Sequence, residues 1–267
     1  MSNYCKEFVA QRKHAIMKTI QNHKLNPSLC IIQVGDNFAS NKYVAGKIKD
    51  CEEVGIKPTL FKVEEDIEED TLIKIIENAN KKCDGVIVQL PLPKHISVEK
   101  VQAAIDDDKD VDGFKVTSKF TPCTPLGVYN LLSEVTYWTG KNVVVLGRSK
   151  IVGQPMVNLI IEKTNATVTC CNSYTQNLEN ILRKADIIIS AVGKPKFITK
   201  DMIKEGAIIV DVGINQDEDG KMCGDVDYDN VKDLCSFITP VPGGVGLITR
   251  VTLLENVILS HKLTQKL

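Results

Sequence analysis

The feature that most constrains this chain is an alternation kept over most of its length. Short, near-continuous apolar runs rich in β-branched residues alternate with longer segments whose apolar residues recur at helical spacing. Residues 29–34, 59–63, 85–90, 142–146, 167–171, 187–190 and 207–212 are runs of the first kind. Strands that are apolar on both faces belong to a parallel sheet covered by helices, so the fold class is α/β. Helices are expected at about 6–23, at 40–54 with Ser40 as cap, at 69–80, at 126–135, from Val152, at 178–184 and at 249–261, and a hairpin near 217–220. The alternation breaks at Asp106-Asp107-Asp108-Lys109-Asp110-Val111-Asp112-Gly113 and stays irregular to Pro125. A domain junction is expected there, with a nucleotide-binding sheet in the second half. At 267 residues the chain is long enough for two cores.

Charge and cysteine content narrow the function. The formal net charge is −1, which favours a small-molecule partner over nucleic acid or an anionic membrane. Nine cysteines form no C-x-x-C pair, and four histidines form no H-E-x-x-H motif, so no metal site is expected. Cys170 and Cys171 read as part of a buried strand, and the thiols as reduced core residues of a cytoplasmic protein. No stretch approaches the ~18 apolar residues of a membrane span.

Several residues stand where chemistry is done. The loop from Gly147 to Pro155 lies between a strand and a helix, where backbone N–H groups and the positive helix end can face a pyrophosphate. It lacks the G-x-G-x-x-G pattern, and a bare turn explains it as well. An NAD site places a carboxylate at the end of the following strand, but here that strand ends Cys171-Asn172-Ser173. With Arg148 available to pair with a phosphate, NADP is the better match, against a reading of Arg148 as a solvated surface residue. Tyr43 and Lys47 are one helical turn apart and so share a face, as ordinary surface residues also do. Gln89 ends a strand before Leu90-Pro91-Leu92-Pro93. Asp112 is either a solvated loop residue or a carboxylate able to capture a ligand amino group, and the glycines of Pro242-Gly243-Gly244-Val245-Gly246 permit close approach of a flat ligand or merely a turn.

Together and in this order, these segments resemble the bifunctional methylenetetrahydrofolate dehydrogenase/cyclohydrolase family. The resemblance is carried by residues 35–47, by Val88-Gln89-Leu90-Pro91-Leu92-Pro93, by 109–114, by Pro122-Cys123-Thr124-Pro125, by 147–155 and by 239–246. It implies two α/β domains with a cleft between them: a folate-binding catalytic domain at 1–125 completed by a C-terminal helix at 248–267, and a Rossmann-like NADP domain at 126–247. It also implies oxidation of 5,10-methylenetetrahydrofolate with NADP and hydrolysis of the methenyl product to 10-formyltetrahydrofolate, a place in one-carbon metabolism and purine biosynthesis, and a homodimer formed through the nucleotide domains. In that scheme Tyr43 stacks on the folate, Lys47 is the catalytic amine, Gln89 tunes it and Asp112 holds the pterin. Val88, Leu90, Pro91, Pro242, Gly243 and Gly244 join the substrate site. Gly147, Arg148, Ser149, Ile151, Val152, Ser173, Val192, Gly193, Ile214 and Thr249 contact the cofactor. Asn172 stands where a histidine is often found, and Gly246-Leu247-Ile248-Thr249 replaces Gly-Pro-Met-Thr. A shikimate-type NADP dehydrogenase, or a non-catalytic folate or nucleotide sensor, are the competing readings.

Overall fold

The computed structural model describes residues 3–265, so the ends of the expected spans, 1–2 and 266–267, lie outside the described residues. The described residues form two compact units, 11–123 with 250–265, and 3–10 with 124–249.

In the first unit the elements are α1 (Tyr4–His23), β1 (Ser28–Val34), α2 (Phe38–Val54), β2 (Lys57–Val63), α3 (Glu69–Lys82), β3 (Gly85–Val88) and α4 (Val98–Ala103). The strands form a parallel sheet in the order β2-β1-β3. The central strand β1 is mostly apolar and almost wholly buried. Cys30, Ile32, Val86 and Val88 pack one face of the sheet against Leu72, Ile76 and Ala79 of α3 and Val101 of α4. As an edge strand β2 is largely exposed, including Leu60 and Phe61, so cover on both faces holds for the centre of the sheet and not its edge.

The second unit contains α5 (Cys123–Val135), β4 (Asn142–Leu146), α6 (Gly153–Lys163), β5 (Thr167–Cys171), α7 (Leu178–Lys184), β6 (Ile187–Ser190), β7 (Ile208–Asp211), β8 (Asn215–Gln216), β9 (Met222–Cys223), α8 (Tyr228–Val231), β10 (Phe237–Ile238) and the first turn of α9 (Val245–Gln265), which from Arg250 onward belongs to the first unit. Five strands form a parallel sheet in the order β10-β7-β6-β4-β5, while β8 and β9 pair antiparallel as the expected hairpin. The strand order reverses at β4, which pairs with β5 on one side and β6 on the other. Ligands of open α/β sheets bind outside the carboxyl ends of strands at such a switch point.

Four expectations need correction. Asn37, not Ser40, caps α2: its side chain accepts the Ser40 N–H at 3.0 Å. The strand β5 is an edge strand, so Cys170 is exposed and only Cys171 is buried. Helix α9 begins at Val245, so Val245 and Gly246 open it instead of ending the preceding loop. The first residues of α1 group with the second unit, where Tyr4 meets Phe237 edge-on at 5.6 Å. The short α4, α8 and β10 had no periodic signal long enough to be read.

Candidate active site

The catalytic candidates lie in the first unit, and α2 presents two of the four, Tyr43 and Lys47. Its entry is fixed by Gln33, which is buried and donates to Asn41 Oδ1 at 2.6 Å and to the Gly35 carbonyl at 3.2 Å. Asn41 in turn donates to Asp36 at 2.9 Å. The helix stops at Gly55, whose left-handed φ of 90° ends it without a Cβ clash. Between these ends Tyr43, Gly46, Lys47 and Asp50 fall at i, i+3, i+4 and i+7 and line one face.

Lys47 Nζ donates to Gln89 Oε1 at 3.2 Å and faces Asp112 Oδ2 at 3.8 Å. Both charged side chains are nearly buried, 12% and 11% exposed, in a setting where polar contacts are stronger than at an open surface. Gln89 is oriented by two restraints: its Nε2 donates to the Leu90 carbonyl at 2.8 Å, and its backbone N–H donates to Ile32 of β1 at 2.8 Å. That leaves Oε1 as the acceptor aimed at the amine. Tyr43 sits one turn from Lys47, half-buried, and burial pushes its phenol up while the Arg250 guanidinium pulls it down.

Asp112 is not in a solvated loop. Asp110 and Asp112 are buried, whereas Asp106 is exposed. The turn is tied to the edge of the sheet by Val86 N–H donating to the Lys109 carbonyl at 2.9 Å. Gly113 has φ 72°, and a Cβ there would lie 2.7 Å from Pro122 N, so glycine is required. Asn256 of α9 closes the arrangement by donating to the Val111 carbonyl at 2.8 Å and to that of Thr121 at 3.4 Å. Val88 and Leu90 line a small pocket with Asp112 and Phe114, while Pro91 follows a cis Leu90–Pro91 bond and is exposed.

The cofactor candidates lie in the second unit at the carboxyl ends of strands. Gly147 follows β4 with φ 99° and packs against the Ala191 carbonyl too closely for a Cβ. Arg148, Ser149 and Ile151 are exposed and Val152 half-buried. Ser149 Oγ accepts the N–H groups of Val152 and Gly153 at 3.2 and 3.4 Å, shaping the start of α6. Ser173 is exposed after β5, Val192 and Gly193 follow β6, and Ile214 is 53% exposed after β7. Gly193 and Gly243 have positive φ with open space where a Cβ would stand; Pro242 is exposed after a cis Val241–Pro242 bond, and Gly244 packs on the Pro240 carbonyl. The Thr249 and Thr124 hydroxyls are 2.9 Å apart.

The loops after β6 and β7 are held by two buried aspartates that sequence reading missed. Asp225, wholly buried, accepts Ser190 Oγ at 2.9 Å, the N–H groups of Val192 and Lys194 at 2.8 and 3.0 Å, and Asn215 Nδ2 at 2.9 Å. Asp211 accepts the N–H groups of Gly213, Asp225 and Val226 at 2.9–3.0 Å. Burial pushes Asp211 up to about 6, against those three donors. The available signal was an aspartate ending an all-apolar strand and another inside Gly224-Asp225-Val226. Asn256 was visible only as a polar residue amid Val251, Leu253, Leu254, Val257 and Ile258.

The fit to NADP follows from the donors. Arg148 has no hydrogen-bond or ion-pair partner among the described residues, and β5 ends without a carboxylate. A free guanidinium suits a phosphate, and the missing carboxylate removes the usual contact to a ribose 2′-hydroxyl. Among the described residues no three His, Cys, Asp or Glu side chains are grouped to hold a metal ion, and no helix is long and apolar enough to cross a membrane.

Comparison with known proteins agrees with this division of labour. Residues 3–112 match the catalytic domain of tetrahydrofolate dehydrogenase/cyclohydrolase, and residues 122–265 its NAD(P)-binding domain. The chain is 45% identical to the bifunctional protein FolD of Thermodesulfovibrio yellowstonii over 98% of this chain and 96% of that one. The crystal structure of the Campylobacter jejuni bifunctional FolD, 40% identical, superposes with a TM-score of 0.92 over 97% of this chain and 98% of that chain. The Trypanosoma brucei enzyme, solved with NADP cofactor and inhibitor, is 30% identical with a TM-score of 0.90, covering 98% and 96% of the two chains.

Proposed function

This chain belongs to the tetrahydrofolate dehydrogenase/cyclohydrolase family, and from that premise we propose that it oxidises 5,10-methylenetetrahydrofolate with NADP and hydrolyses the methenyl product to 10-formyltetrahydrofolate. The observation that carries the reading is the nearly buried Lys47 amine, 3.2 Å from Gln89 Oε1 and 3.8 Å from Asp112. A non-catalytic sensor has no use for such an amine.

Each residue has a distinct task. The Tyr43 ring stacks on the folate ring system, and the Asp112 carboxylate accepts pterin N–H groups, with Val88, Leu90, Pro91, Pro242, Gly243 and Gly244 shaping the substrate's surroundings. NADP, when bound, supplies the hydride acceptor. It would be held by Gly147, Ser149, Ile151, Val152, Ser173, Val192, Gly193, Ile214 and Thr249, with Arg148 as the cation available to its 2′-phosphate. Hydride transfer depends mainly on orientation. Hydrolysis also requires a proton to be held and moved, and Lys47 Nζ is the atom placed to do it, its direction set by Gln89.

The protein works as a cytoplasmic homodimer without a metal, acting on tetrahydrofolate derivatives and not on nucleic acid or membranes, and its product donates formyl groups for purine biosynthesis. The exposed edge strand β5 supports pairing through the nucleotide unit, and nine unpaired cysteines support a reducing compartment. An absorbance assay with methylenetetrahydrofolate and either NADP or NAD tests substrate, cofactor and reaction together. Formation of NADPH and then of the formyl product is expected; no turnover with either cofactor refutes the proposal.

A further inference from the structure

Arg250 reaches from α9 onto the same face of α2 that carries Tyr43 and Lys47. Its Nε lies 2.7 Å from Asp50 Oδ2, and its guanidinium passes directly over Gly46. A Cβ at position 46 would overlap Arg250 Nη1, so the missing side chain is what admits the guanidinium. Asp50 is not a dedicated partner, because it also pairs with Lys13 at 2.6 Å, and Lys13 pairs with Glu53 at 2.8 Å. Neither Nη nitrogen has a partner among the described residues, and the side chain is 23% exposed. Arg250 is therefore an anchored, partly desolvated cation with a free planar face of donors, the geometry that binds a carboxylate in bidentate fashion.

We propose that Arg250 is the receptor for a carboxylate on the glutamyl tail of the folate, making it a specificity-determining residue of the substrate site. This rests on the functional reading above. Arg250 lies close enough to Tyr43 for its charge to pull the phenol down, so a tail leaving a benzoyl ring beside Tyr43 meets in Arg250 a cation with two unpartnered Nη nitrogens. Lys47 is committed to Gln89 and Asp112 and cannot serve both ends of the substrate. The contact is made alike in ground and transition states, so it acts on KM and not on kcat.

The test compares two substrates within each protein: glutamylated methylenetetrahydrofolate and methylenetetrahydropteroate, which lacks the tail. The wild-type preference in kcat/KM for the glutamylated substrate should be roughly 10- to 150-fold, the worth of a charge-assisted hydrogen bond. It should collapse toward one in R250M, through KM, and return in large part in R250K. Because the ratio is internal to each variant, partial loss of folded protein leaves it intact. An unchanged ratio in R250M, or a wild type that shows no preference, overturns the assignment of Arg250. A wild type that oxidises neither substrate overturns the functional reading instead.

Discussion

Replacing Asp225 by asparagine probes the loops that follow β6 and β7, and the structure sets the size of the effect. Oδ1 accepts from Lys194 N–H and Asn215 Nδ2, and Oδ2 from Ser190 Oγ and Val192 N–H. An asparagine amide must turn its NH₂ toward one of these pairs. If it faces Ser190 and Val192, the serine hydroxyl reverses and accepts, but the Val192 N–H is orphaned. If it faces Asn215 and Lys194, the Asn215 amide flips and the Lys194 N–H is orphaned. One buried donor is lost in either rotamer, at about 1–3 kcal/mol, and the other contacts lose their charge assistance. The expected total is about 2–4 kcal/mol, or roughly 5–15 °C in Tm for a chain of this size. NADP affinity should fall as well, because Val192 and Lys194 flank Gly193. D225A, which strands all four donors, should lose more. Thermal and urea melts with an NADP fluorescence titration measure both effects. A D225N protein that melts within 1 °C of wild type, as a threshold of about 0.3 kcal/mol, and binds NADP equally well would show that these contacts carry no weight.

Three further outcomes are expected. K47M should lose roughly 10²–10⁴-fold in hydrolysis of methenyltetrahydrofolate, with a smaller fall in dehydrogenase rate, whereas hydrolysis at the wild-type rate above background would remove Lys47 as the proton carrier. R148A should weaken NADP use roughly 10- to 150-fold more than NAD use in steady-state kinetics, and equal losses would end the 2′-phosphate assignment. For Asp211, pushed up to about 6 by burial, the folded state favours the protonated acid over the unfolded one, so its stabilising contribution is present below about pH 4 and lost as pH rises through about 6. Wild-type stability relative to D211N should therefore fall by about 2–3 kcal/mol between about pH 4 and 7 in urea titrations, and a flat difference across that range would contradict the buried-acid account.

Much of the chain was legible because it is governed by local patterns. The spans of β4, β5, α7 and β6 follow directly from apolar runs and their flanking turns. Elements shorter than two periods, such as α4, α8 and β10, were not legible. Burial along the edge strands was misread for a related reason: Leu60, Phe61 and Cys170 carry strand-forming side chains, but exposure depends on which strand lies beside them. Asn37 displaced Ser40 as the cap because both residue types can cap, and the Gln33 and Asn41 contacts set where the helix begins.

The same division holds at the candidate site. The sequence alone determined that Tyr43 and Lys47 share a helix face, that Gln89 follows a strand, and that β5 ends in Asn172-Ser173 without a carboxylate, since each depends on residues a few positions apart. Only the tertiary structure decided that Lys47 meets both Gln89 and Asp112, that Asp112 is buried, that Arg250 lies over Gly46, and that Asp211 and Asp225 hold the loops after β6 and β7. Helical and strand periods specify which way a side chain faces on its own element. They carry no information about which distant element will pack against that face, because that is settled by the joint burial and hydrogen-bond satisfaction of the whole core.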